Sequence, residues 1–287
     1  MIGSVMLAFA LGVCPPQLSV DTVVVLYTAG ISGALDPMPA SWINPEFPPM
    51  CGGAGSLVKL VEEYRDKYPL LLVSAGGFFH PLDSVPWRRV VNFFNKAGYD
   101  AVCVGINELH LGMDTLKVAI RESEFPWLCA NLYSRNRERF LPRYMVVEKA
   151  GVKIGIFGVL TEYADMFSTT PVAREFVFTR ELEAMEDVVR ELKVQGVDLV
   201  VMLSHLGWKH DSVLVKEVSG IDVVVSGFDG WALREPYEDP VNHTVILRTY
   251  DRLGNLGMLK LFVDRDTKTL VGYEGRLLSL LEDESPS

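Results

Sequence analysis

The sequence predicts an α/β fold of two sheets flanked by helices. Almost wholly apolar runs recur along the chain. They alternate with segments of 3.6-residue apolar period, and the C-terminal part reads as strands without helices. The runs Thr22–Thr28, Leu70–Ala75, Ala101–Val104, Trp127–Ala130, Lys153–Val159, Leu199–Ser204 and Val223–Ser226 lack polar alternation. Each is therefore expected to be a strand covered on both faces. Helices are expected over Gly55–Lys67, Val85–Lys96, Asp114–Glu122 and Arg180–Gln195; Leu57, Leu60, Val61 and Tyr64 show the spacing. "RYMVVEKAGVKIGIFGV" reads as a hairpin turning near Ala150–Gly151. After Asp239, "HTVILRTYD", "LGMLKLFVD" and "TLVGYEGRLLSL" read as an antiparallel meander.

A chain of 287 residues can bury an ample core. A single domain over residues 20–281 is expected, with no linker and no repeat, and "EDESPS" at 282–287 reads as a disordered tail. The net charge of −10 and the absence of any basic run argue against nucleic acid and anionic membrane surfaces as partners. "MIGSVMLAFALGVCPP" holds an apolar run too short for a spanning helix, which needs about 20 residues. Residues 1–19 fit an export signal, although the basic start is missing, and "LGVC" resembles a poor lipoprotein box with Cys14 as the lipid anchor. A buried first element of the fold is the alternative. An extracytoplasmic location, periplasmic or at the cell surface, follows from the export reading. Cys103 and Cys129 fall in apolar strands and Cys51 in a loop, without the C-x-x-C spacing of a zinc site.

"VVVLYTAGISGALDP" raises the functional question. A buried strand opens into a glycine turn, where an α/β enzyme keeps its chemistry. Yet Thr28, Ala29, Gly30, Ile31, Ser32 and Gly33 offer no strong metal ligand and no base. Several other phrases explain the setting: "GGAGSLVKLVEEYRDKYPLLLVSAGGFF", "GYDAVCVGINELHLG", "FPWLCANLY", "GVKIGIFGVLTE", "GVDLVVMLSHLG" and "GIDVVVSGFDGW". From about Asp21 to Leu280 the chain resembles the catalytic domain of the 5′-nucleotidase branch of the calcineurin-like metallophosphoesterases. The resemblance implies a four-layer α-β-β-α sandwich, two mixed sheets flanked by helices. It also implies a site where two divalent ions polarise a phosphoryl oxygen and generate hydroxide.

Carried over position by position, the resemblance finds that site dismantled. The family's first Asp and His fall on Gly30 and Ser32, and its bridging Asp on Gly77. The ligand Asn falls on Ile106 and the catalytic His on Asn107, while the final two His positions are Phe228 and Gly230. Only His205 keeps a ligand type. A one-residue slip would put Asn107 at the ligand Asn, but the unshifted register keeps both Glu108 and Gly112 in place. His80, Asp83, Glu108, His110 and Asp229 lie near the vacated loops as possible helpers to His205 at a single zinc or manganese ion. The simpler reading makes His205 a hydrogen-bonded remnant, Glu108 a cap near a helix start, and His110 and Asp229 solvated loop residues. His210 in "GWKHD" then starts a helix with Asp211 and Ser212 as capping residues. The family's C-terminal domain, which clamps the base, has no counterpart in the chain as far as Ser287.

The expectation is a catalytically inactive member of that fold, an extracytoplasmic binding or accessory subunit without a cofactor. Its expected partner is a protein at the cell envelope or a small anion held by backbone amides around Gly30–Gly33 and Gly76–Gly77. Candidate binding residues are Trp42 and Phe47, on the long proline-rich loop from Asp36 to Gly53, with Gly76, Asn107 and Asp229. The alternatives are a weak phosphomonoester hydrolase with one metal and a structural subunit of a surface assembly. The sequence carries no phosphate loop, dinucleotide fingerprint or G-x-S-x-G elbow. "NHT" at Asn242–Thr244 fits a glycosylation sequon.

Overall fold

The computed structural model describes residues 19–41, 43–80, 85–167, 174–228 and 231–281. The N-terminal segment through residue 18, expected to be an export signal and carrying Cys14, lies outside the described residues, as do Trp42, Asp83, Asp229, Gly230 and the tail.

In chain order, the first half contains β1 (Val20–Thr28), β2 (Met38–Pro39), β3 (Met50–Cys51), α1 (Ala54–Arg65), β4 (Leu70–Ser74), α2 (Trp87–Ala97), β5 (Ala101–Cys103), α3 (Ile106–Leu109), α4 (Gly112–Glu122), β6 (Trp127–Leu128) and β7 (Leu132–Ser134). The second half contains β8 (Tyr144–Lys149), β9 (Val152–Leu160), α5 (Ala164–Phe167), β10 (Phe176–Phe178), α6 (Glu181–Val194), β11 (Leu199–His205), α7 (Trp208–Glu217), β12 (Val223–Ser226), β13 (Tyr237–Glu238), β14 (Val245–Leu247), β15 (Asn255–Asp264) and β16 (Leu270–Ser279). One large sheet runs β16-β15-β1-β4-β5-β6, the other β13-β14-β12-β11-β9-β8. Both are mixed: β1, β4, β5 and β6 are parallel, as are β9, β11, β12 and β14, with antiparallel strands at the edges.

Strand alternation builds the layers. On β1, Val23, Val25 and Tyr27 face one way and meet Ile154, Ile156, Val201, Leu203, Val223 and Val225 of the other sheet in one buried cluster. Val24 and Leu26 face the other way, against Leu57 and Val61 of α1 and Val90 and Phe94 of α2. On the far side, Met202 and Val224 pack against Met185, Val188 and Leu192 of α6 and Val215 of α7. The result is helix, sheet, sheet, helix. Strands buried on both faces need apolar residues at every position, which is why β1, β4, β11 and β12 carry no polar alternation.

The expected strands and helices are present with ends moved by a few residues. The hairpin turns at Ala150 and Gly151, with φ of 53° and 72°, the two left-handed positions of a tight turn. Two expectations need correction. The first strand of the supposed meander, β14, joins the second sheet parallel to β12, and only β15 and β16 form a hairpin, in the first sheet. Asp211 and Ser212 do not cap α7, which begins a turn earlier behind Gly207. Asp211 is instead fully buried within the helix and accepts the Ser204 hydroxyl at 2.5 Å. Among the described residues no helix is long and apolar enough to cross a membrane.

The loop from Asp36 to Gly53 is closed at its base by pairing of β2 with β3, and Asn44 Oδ1 accepts the amides of Glu46 and Phe47. Phe47 stands 79% exposed at its tip. Cys51 lies in β3 and is buried. Cys103 and Cys129 are also buried, and burial raises both thiols, that of Cys129 to about 12, so they pack as small hydrophobes.

Candidate functional site

The carboxyl ends of β1, β4 and β5 from one sheet meet those of β11 and β12 from the other. Their loops enclose a cavity of about 140 Å³ lined by Gly30, Ser32, Gly77, Ile106, Asn107, His205, Phe228 and Asp251. The positions that the resemblance marks as vacated, Gly230 aside, therefore come together around the retained histidine. His80, Glu108 and His110 are not among the lining residues. Asp251, which sequence reasoning missed, is.

His205 closes β11 and is almost fully buried. Its Nδ1 lies 2.9 Å from the carbonyl oxygen of Ala75, which can only accept, so Nδ1 carries the proton and Nε2 the lone pair. Burial and the nearby Arg248 charge hold the imidazole neutral, its pKa down at about 4. Phe228 sets its ring edge against the imidazole at 5.6 Å. It does so at a φ of 82°, a conformation that costs a bulky side chain roughly 1–3 kcal/mol. The Asn107 side chain turns away to donate to the Phe79 carbonyl at 2.9 Å.

Glu108 holds the loops rather than facing the cavity. It is fully buried, and its carboxylate accepts the amides of Gly77 (2.9 Å), Phe78 (2.9 Å), Phe79 (3.0 Å) and Gly105 (2.7 Å). Burial raises its pKa, and these amides oppose the shift. Each oxygen takes two of them, so its capacity to accept is filled and none is left for a metal ion. The amides expected to cradle an anion are engaged too. Gly30 donates to Gly76 O, Ser32 to Gly77 O and Gly33 to Phe78 O, at 2.8–3.0 Å. With Gly77 on Glu108, four of the amides named for that cradle are committed within the loops.

At Gly30 a returning side chain would clash, and at Gly77 it would be crowded. Gly30 and Gly77 both adopt positive φ, 58° and 69°. A Cβ on Gly77 would lie 3.3 Å from both Gly30 Cα and His205 Cε1, and one on Gly30 would lie 2.1 Å from Asp251 Oδ1. Asp251 thus places its carboxylate where a side chain at residue 30 would go. The same oxygen accepts Arg248 Nη2 at 3.0 Å, and Arg248, fully buried, also donates to the Ser226 carbonyl. A fixed guanidinium–carboxylate pair occupies this corner.

No protein-family profile matches the chain. By sequence it is 30% identical over 190 residues to the 5′-nucleotidase of Rattus norvegicus, a stretch covering 61% of this chain and 32% of that protein. A 5′-nucleotidase precursor from Thermus thermophilus superposes with a TM-score of 0.78 and 22% identity, covering 90% of this chain and 54% of that one. A calcineurin-like phosphoesterase of Bacillus subtilis gives 0.78 and 17%, covering 91% and 92%. The fold is that of the calcineurin-like phosphoesterases. The chain is homologous to 5′-nucleotidases, yet spans only about a third of the length of the curated relatives it matches.

Phosphoesterases of this fold hold two metal ions about 3.5–4 Å apart. The donors present do not fit such a pair. Among the described residues lining the cavity, the groups that ligate metals strongly are one imidazole and one carboxylate, and the carboxylate is bound to a guanidinium. Among the described residues no three His, Cys, Asp or Glu side chains converge.

A pH experiment reads the burial of His205 directly. The free side chain titrates at 6.5, so an unfolded chain takes up its proton before the folded one does. The stability this group contributes is complete above pH 6.5 and is lost as pH falls to about 4. Asp222 has the opposite sign: burial raises its pKa from 3.8 to about 6, so its contribution is complete below 3.8 and is lost as pH rises through 6. Urea midpoints of His205→Gln and Asp222→Asn from pH 7 to 4 are expected to diverge. Relative to the parent, the first gains and the second loses roughly 2–3 kcal/mol. Parallel profiles would contradict both assignments.

Proposed function

We propose that this protein is a catalytically inactive member of the phosphoesterase fold that works as a binding or accessory subunit outside the cytoplasm. The observation that carries the reading is the convergence of Gly30, Ser32, Gly77, Ile106, Asn107 and Phe228 on one small cavity beside His205. Such a cavity keeps the shape of a hydrolytic centre without its donors. Even one lost outer-shell partner costs a metal site roughly 10–100-fold in affinity. The exposed Phe47 on the loop 36–53 supports a protein partner, and the apolar segment before residue 15 supports export.

The purified protein, incubated with manganese and dialysed, is expected to retain no stoichiometric Mn, Zn or Fe by elemental analysis. No turnover of p-nitrophenyl phosphate is expected either. Stoichiometric metal with turnover abolished by His205→Ala would overturn the reading. The second reading, a weak hydrolase using one zinc or manganese ion, is favoured by the meeting of His205 and Asp251 at one cavity.

A further inference from the structure

Beside the collapsed cavity, and sharing Asp251 with it, lies a groove of about 650 Å³. Its lining includes Arg234 and Arg252 together with Tyr250, Met38 and Leu277. We propose that this groove binds a small organic oxyanion, a carboxylate or phosphate monoester carrying a flat apolar body. The anion sits on the two guanidinium groups and the body on Tyr250, between Met38 and Leu277. This deepens the binding role proposed above by naming a ligand class, and it rests on that reading.

Three features carry the assignment. In a chain of net charge −10, two exposed arginines face one groove, and neither makes an ion pair among the described residues. The Asp251 carboxylate, which lines the same groove, has Oδ1 committed to Arg248. Guanidinium forks match carboxylate and phosphate oxygens in pairs, so the vacant charge favours an oxyanion over a neutral ligand. Second, the wall is pre-built. Arg252 N donates to Gly30 O at 2.9 Å, and Tyr250 N donates to Asn255 Oδ1 at 3.2 Å. Arg252 and Leu253 sit at φ of 60° and 53°, two consecutive left-handed residues without a glycine. Such strain collects where a side chain must be presented in one direction. Third, Tyr250 is 39% exposed and lines the groove, an aromatic side chain available to a flat group.

The test is calorimetric titration of the full chain with phenyl phosphate, benzoate, inorganic phosphate and phenol. Phenyl phosphate or benzoate is expected to bind with a Kd below ~1 mM, tighter than phosphate, which lacks the body, and than phenol, which lacks the charge. The better of the two identifies the oxyanion. Arg234→Gln and Arg252→Asn, the latter chosen because asparagine tolerates a left-handed backbone, should each weaken binding about tenfold. Tyr250→Ala should weaken the aryl ligands and leave inorganic phosphate unchanged. No binding of either aryl anion at ~10 mM, or affinity indifferent to both arginine variants, overturns the proposal. Hydrolysis of phenyl phosphate with added manganese would overturn the inactive reading and leave the groove standing, so the two failures are distinguishable.

Discussion

Glu108→Ala is expected to destabilise the protein by about 4 kcal/mol or more, a loss that few single substitutions reach. The carboxylate is the common acceptor for the amides of Gly77, Phe78, Phe79 and Gly105, in a place with no solvent access. Truncation leaves these donors buried without partners, and each such group costs about 1–3 kcal/mol. Relaxation of the glycine loops recovers part of that total. Glu108→Gln should fall between parent and alanine variant, because its NH₂ group faces two amides that also donate. Equilibrium urea unfolding with an unchanged m value measures both losses. A cost below about 1 kcal/mol for the alanine variant would mean that the loops close without the carboxylate.

The same residue shows what was legible in the sequence. Its local role, a carboxylate near the start of a helix, is readable from "GINEL", and Glu108 does accept the amide of Gly105 ahead of α3. Its longer-range role is not, because the bonds to Gly77, Phe78 and Phe79 span about thirty positions and depend on the packing of β4 beside β5. The large strands were legible for a simple reason: burial on both faces forces continuous apolar runs. β14 was misplaced because an apolar triplet does not say which sheet it joins. Its partner β12 lies before it in the chain, across an intervening loop. Helix α7 lacked a clear start because Gly207, its N-cap, offers no capping side chain. At the candidate site, the sequence named what was missing but not what had moved in. Asp251 belongs to no matched phrase, and only the turn from Tyr250 to Gly254 brings it against Gly30.

That displacement predicts the second large effect. Gly30→Asp, which would restore a ligand-type side chain to the turn, is expected to destabilise by several kcal/mol rather than to build a metal site. Two costs add. The φ of 58° disfavours any Cβ by roughly 1 kcal/mol or more. The new Cβ would also stand 2.1 Å from Asp251 Oδ1, and two carboxylates would then compete for one guanidinium. Asp251→Ala alone should also be costly, about 3–5 kcal/mol, because it removes a carboxylate partner from a fully buried Arg248. The double variant is where the argument is decided. With Asp251 truncated, the introduced carboxylate has room and an adjacent cation, so the two losses should compensate rather than add. A coupling of 1–3 kcal/mol in the double-mutant cycle is in the range for residues that share a partner, so roughly 2 kcal/mol is expected here. Simple additivity would show that Asp251 does not occupy the space of the lost side chain. The presence or absence of bound metal in the double variant then separates two histories of the site. If the introduced carboxylate pairs with Arg248, metal remains absent, because a permanent cation already holds the position where a metal's charge would act.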